Sequence, residues 1–117
     1  MKILKTYTRI YTNQFEATLA YYERLVAAKY DLRFSYQEVG LEIASVGDFL
    51  ILAGTDNALR LFRETQATCL VDSLTEFETF LKANGAVIIR GLKQVPTGKN
   101  MTVKHPDGAI IEYVEHI

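Results

Sequence analysis

The stretch that decides the fold is His105-Pro106-Asp107-Gly108-Ala109-Ile110-Ile111-Glu112-Tyr113-Val114. Proline presets φ early in a turn, and glycine accepts the left-handed conformation that closes it. A run of β-formers follows at once, so the segment reads as a hairpin turn and its return strand. Glu112 stands in the middle of that strand, among residues that otherwise belong to a core. A carboxylate there is costly unless a metal, a cation or hydrogen bonds meet it.

Upstream of this hairpin, residues 65–71 read as a strand. Ser73-Leu74-Thr75-Glu76 has the spacing of a capping box, Leu74, Phe77 and Leu81 recur on one helical stripe, and Asn84-Gly85 stops the helix. Residues 86–89, 101–104 and 109–114 are then three strands, separated by Val95-Pro96-Thr97-Gly98 and by the Pro106 turn. The first half carries the same order. Residues 3–11 alternate as a strand, Asn13-Gln14-Phe15-Glu16 has capping-box spacing, and Phe15, Leu19, Tyr22 and Val26 form a helical stripe. Leu32, Phe34 and Tyr36 alternate with polar residues, residues 41–46 continue as a strand, and residues 49–53 form a short apolar one. Residues 54–63 read as a connection with one helical turn at 58–62.

Both halves therefore spell β-α-β-β-β, with helix caps at Asn13 and Ser73 about sixty residues apart. Neither half alone can bury a core. The expectation is a single α+β domain over residues 1–117, with modules of about 1–55 and 64–117. They would form a curved mixed sheet with helices on its outer face and a concave cavity inside.

Composition agrees with one domain. The chain has 117 residues, of which 49% are hydrophobic and 11% aromatic, enough for a core without disulfides or structural metals. A net charge of −1 with interspersed signs leaves no electrostatic footprint for nucleic acid or anionic lipid. Cys69 is the single cysteine; its apolar setting suggests a buried thiol facing the helices. The N-terminal residues lack the apolar stretch of a signal peptide, and no apolar run spans a bilayer. A cytoplasmic protein is the expectation.

The chain resembles the vicinal-oxygen-chelate superfamily, which includes glyoxalase I, bleomycin-resistance proteins and extradiol dioxygenases. The resemblance covers nearly the whole chain. It rests on the paired β-α-β-β-β order, on Leu19-Ala20-Tyr21-Tyr22 in the first helix, on Leu81-Lys82-Ala83-Asn84-Gly85-Ala86, and on the terminal hairpin, which is similar to the family's D-P-D-G-N-x-I-E. It implies the fold more than any one activity.

Glyoxalase-like members bind a divalent metal through two side chains from each half. The resemblance puts the first ligand at Lys5, whose ammonium is no metal ligand. It puts the second near Ile51 or Leu52, which have no donor atom, the third at about Gln66, a weak ligand, and the fourth at Glu112, which matches. A catalytic metal needs about three protein ligands, so no metal and no other cofactor are expected. Neither His105, at the turn, nor His116, near the C-terminus, restores the set.

Lys5 and Glu112 would instead form an ion pair in the cavity, the ammonium standing where the family holds a metal; the plainer reading is that Lys5 reaches to the rim and Glu112 is only hydrogen-bonded. Tyr7 and Arg9 share the strand face of Lys5. The resemblance implies that Arg9 meets a ligand carboxylate, which points to an acidic or phosphorylated molecule; a surface ion pair is the alternative. Tyr7 is either a stacking face or an ordinary strand tyrosine. The ligand-binding candidates are thus Lys5, Tyr7, Arg9, Gln66 and Glu112. Phe15/Tyr22 and Phe77/Phe80 read as helix-to-sheet core, and Thr97-Gly98-Lys99-Asn100 as a turn.

Three functions are open on these residues. The first is a metal-free small-molecule-binding protein of the bleomycin-resistance type. The second is a divergent lyase, isomerase or dioxygenase-type enzyme with Glu112 as base or metal ligand. The third is a module for self-association or partner binding, since the resemblance implies a homodimer.

Overall fold

A computed structural model describes all residues, Met1–Ile117. The first module comprises β1 (Ile3–Thr12), α1 (Phe15–Val26), β2 (Leu32–Tyr36), β3 (Leu41–Val46) and β4 (Phe49–Ala53). A short helix, α2 (Asp56–Leu59), lies in the connection, and β5 (Ala67–Val71), α3 (Leu74–Ala83), β6 (Val87–Val95), β7 (Gly98–Lys104) and β8 (Ile110–His116) complete the second. The class is α+β with a mixed sheet of eight strands, as the twofold pattern implies.

Two compact units emerge. The amino-terminal unit is Thr8–Glu64, with strand order β2-β3-β4-β1; the carboxy-terminal unit joins Met1–Tyr7 to Thr65–Ile117, with order β1-β5-β8-β7-β6. β1 contributes its later residues to one and its earlier residues to the other. Within each unit one contact is parallel, β1 with β4 and β5 with β8, and the following hairpins are antiparallel.

Each unit packs its helix on one sheet face. In the amino-terminal unit Leu19 of α1 meets Ala44, Val46 and Ile51, with Phe15, Tyr22, Val26 and Ile10 around them. In the carboxy-terminal unit Leu74, Phe77 and Leu81 of α3 meet Cys69, Val71, Met101, Val103 and Tyr113. Both stripes are those read from helical spacing, and Cys69 faces the helix as expected. Phe80 does not join its core: it is 47% exposed, because the stripe of a ten-residue helix is already filled by Leu74, Phe77 and Leu81.

The caps differ. Ser73 accepts the amide of Glu76, and Glu115 of β8 accepts that of Leu74 at 2.8 Å, so α3 has two first-turn N–H groups satisfied. α1 has no side-chain cap, contrary to the capping-box reading of Asn13; that side chain instead donates to the Gly54 carbonyl at 2.8 Å and to Asp56. The connecting helix starts two residues earlier than its spacing suggested because Thr55 caps it. The 105–108 turn closes with the Gly108 amide on the His105 carbonyl at 2.9 Å, and the Asp107 carboxylate accepts the Ala109 amide. Gly108, at φ +94, takes the conformation that glycine tolerates. No helix is long and apolar enough to cross a membrane.

Candidate functional site

Strand alternation decides which side chains accompany Glu112. Cys69, Met101, Val103 and Tyr113 point to α3, so Thr68, Asn100, Thr102 and Glu112 point away from it. Thr6 lies against Cys69, its hydroxyl 3.9 Å from Sγ; Lys5 and Tyr7, on either side of it, therefore share the face of Glu112. The register puts Thr68 opposite Glu112, Glu112 opposite Thr102, and Thr102 opposite Arg90. A polar row thus runs across β5, β8, β7 and β6.

Hydrogen bonds tie the row together. Thr68 donates its hydroxyl to Oε1 of Glu112 at 2.9 Å, and Asn100 donates Nδ2 to Oε2 at 2.7 Å. The amide oxygen of Asn100 accepts from Nη2 of Arg90 at 2.5 Å; the same nitrogen reaches Oγ1 of Thr102 at 3.3 Å, and Nη1 reaches the Gly91 carbonyl at 3.1 Å. Thr68 and Asn100 are 3% and 7% exposed, whereas Glu112 and Arg90 are half-buried. Buried neutral donors thus fix both oxygens of a carboxylate that still reaches the surface.

The candidates read from sequence divide between the units. Lys5, Tyr7 and Glu112 share the face just described; the Lys5 ammonium lies 5.1 Å from the centroid of the Tyr7 ring, and Tyr7 is buried. Gln66 stands at the β5 entrance, where its side-chain oxygen accepts the Ile110 amide at 3.3 Å and its backbone N–H donates to the Ile110 carbonyl. Arg9 belongs to the amino-terminal unit. Its Nη1 donates to the Tyr11 hydroxyl at 3.0 Å, and that hydroxyl donates to the Phe62 carbonyl.

Sequence reasoning missed Asn100 and Arg90. Asn100 falls in the stretch whose sequence reads as a turn, yet it is the third residue of β7. Arg90 lies where β6 shifts register on both sides, between Ile88 and Arg90 and between Arg90 and Lys93, so simple alternation gives no guide to it.

The donors do not fit the metal that the resemblance implies. Glu112 already accepts two side-chain hydrogen bonds, Gln66 is engaged with Ile110, and Lys5 carries an ammonium. Ile51 packs toward α1 and Leu52 has no donor. Nowhere do three His, Cys, Asp or Glu side chains converge. The helices start at residues 15 and 74, an offset of 59 that equates Thr68 with Arg9. The β4 partner of Arg9 is Leu50, so Leu50 stands in the first half where Glu112 stands in the second.

Other titratable groups lie toward α3. Burial pushes the Tyr113 phenol up to about 12, with Cys69 adding to the shift, and burial also raises the Cys69 thiol against the opposing effect of Thr6. The Tyr113 oxygen lies 2.7 Å from Nε2 of His105, so His105 secures the hairpin turn to the α3 side.

No family model matches the chain, and no curated protein matches it. Solved structures do. A crystal structure of an uncharacterised protein from Methanosarcina mazei is 50% identical, with a TM-score of 0.94 over 100% of this chain and 95% of that one. Methylmalonyl-CoA epimerase from Mycobacterium tuberculosis is 14% identical, with a TM-score of 0.75 over 98% of this chain and 89% of that one. A Streptomyces coelicolor methylmalonyl-CoA epimerase variant, in complex with 2-nitronate-propionyl-CoA, is 12% identical, with a TM-score of 0.73 over 98% and 99% of the two chains. The two epimerases establish likeness of fold.

Proposed function

The chain belongs to one family with the Methanosarcina mazei protein, and from that premise we propose that it is a metal-independent binding protein for a small acidic molecule. We place it in the vicinal-oxygen-chelate superfamily, which the hairpin resemblance and the epimerase-like fold support. The carrying observation is Glu112, a half-buried carboxylate fixed by Thr68 and Asn100 on the sheet face turned away from α3. Apolar positions on the same face, Leu70, Ile110 and Val114, would take the hydrocarbon part of the ligand. An ion pair between Lys5 and Glu112 belongs to the proposal. It would organise the site by charge at the place where the resemblance to glyoxalase-like proteins implies a metal.

The test is a thermal-shift screen with small carboxylates and phosphates, alongside a metal count. Nickel, zinc, manganese or ferrous iron, added and then removed by desalting, should leave far less than one ion per chain. An acidic ligand should raise Tm, and Glu112→Gln, which alters the hydrogen-bonded row around the site, should change the size of that rise. One metal per chain, lost in Glu112→Ala, would overturn the reading. Lys5→Met tests the ion pair: unchanged stability would remove it.

The fold shared with methylmalonyl-CoA epimerases supports a second reading, in which Glu112 acts as a base on a carbon acid. Incubation with methylmalonyl-CoA in deuterated water separates the two. Deuterium entering the α-carbon, and failing to enter with Glu112→Gln, favours the enzyme.

A further inference from the structure

Arg90 has the properties of a receptor waiting for a counter-ion. Its three hydrogen bonds go to the side chains of Asn100 and Thr102 and to the carbonyl of Gly91. All three acceptors are neutral. A guanidinium carries five N–H donors, so Nε–H and one hydrogen on Nη1 have no protein acceptor and are open to solvent or a ligand. The group is half-buried, and no carboxylate is among its hydrogen-bond partners. The register shifts on both sides of it are bulges in β6, a strand at one end of the sheet order. Bulges re-aim side chains and recur beside functional sites. Here they put Arg90 in register with Thr102, and so onto the row of Glu112.

We propose that Arg90 binds the anionic group of the ligand, a carboxylate or a phosphate, while Asn100 holds it one amide away from Glu112. The inference rests on the reading that this face binds a small acidic molecule, and it names the residue that takes the charge. Asn100 makes the arrangement rigid: its oxygen accepts from Arg90 and its nitrogen donates to Glu112, so the amide cannot flip without opposing both bonds. The cation and the carboxylate keep a fixed separation and do not collapse onto each other. A ligand anion at Arg90 gains charge-assisted hydrogen bonds from donors that give up no protein partner.

Titration of nitrogen-15-labelled protein with succinate and, separately, with inorganic phosphate, at constant ionic strength, tests this. The Nε–H resonance of Arg90 should move saturably with at least one probe. Arg90→Gln should weaken binding about tenfold or more, and Arg90→Lys less, because it keeps the charge and loses the planar fork. The wild-type resonance reports on Arg90 even where the variants fold poorly. If the amides of Thr68 and Glu112 shift while Arg90 stays still, the anion is held elsewhere and this inference falls, although the face remains a binding site. Equal affinity in Arg90→Gln also overturns it. Absence of any saturable shift on this face, with either probe, overturns both.

Discussion

At Glu112, exchange for leucine conserves approximate size and removes the acceptor that Thr68 and Asn100 both address. Those partners are buried, so Glu112→Leu leaves two donors without their acceptor. The expected cost is about 1–3 kcal/mol in urea denaturation, while Glu112→Gln, which keeps one acceptor oxygen, should cost less. Tyr113 carries a pH dependence of definite sign. A tyrosine in the unfolded chain ionises near 10.0, whereas burial holds Tyr113 up to about 12. Between those values the unfolded state loses a proton that the folded state keeps, so stability falls as pH rises; below the window stability is at its full value and does not vary with pH through this group. Tyr113→Phe should flatten that part of the alkaline stability profile relative to wild type. Glu112 was legible in the sequence because a charge in the centre of an apolar strand stands out. Its partners were not, because Thr68 lies 44 residues away and Asn100 lies 12 residues away, and both are common polar residues on strands.

The two long helices show how far local rules reach at the level of elements. Ser73 lies three residues before Glu76 and accepts its amide, so here the local pattern determined the cap. The second cap, Glu115, comes 41 residues later in the chain and has no local signature. Asn13 has the same spacing to Glu16, but its side chain is drawn away to Gly54 and Asp56; tertiary contacts overrode the cap. Ser73→Ala should therefore cost about 1 kcal/mol and speed hydrogen exchange at the Glu76 amide. Asn13→Ala should leave exchange in the first turn of α1 unchanged. Equal acceleration in both helices would contradict this assignment of caps. β6 departs furthest from the sequence reading. Its strand extends to Val95, well beyond residue 89, because bulges around Arg90 interrupt the alternation by which strands are recognised.

For the molecule as a whole, the two halves repeat a topology but not a chemistry. The row Thr68, Glu112, Thr102, Arg90 in the carboxy-terminal unit corresponds, by register, to Arg9, Leu50, Ser45, Leu32 in the amino-terminal unit. The repeated order of elements was legible because hydrophobic periodicity encodes it. The difference between the rows was not, because it depends on which residues face each other across strands. In the second half, Thr102 receives a hydrogen bond from Arg90. Its counterpart Ser45 is 1% exposed, and its hydroxyl meets no partner, since leucines occupy the positions on either side of it. A buried hydroxyl without a partner is unfavourable, and removing it exchanges a desolvated polar atom for a methyl hydrogen. Ser45→Ala should therefore leave Tm unchanged or raise it, whereas Thr102→Val, which removes an acceptor from Arg90, should lower it. The reverse order would mean that the Ser45 hydroxyl does find a partner in solution, and that the amino-terminal row is more polar than its register implies.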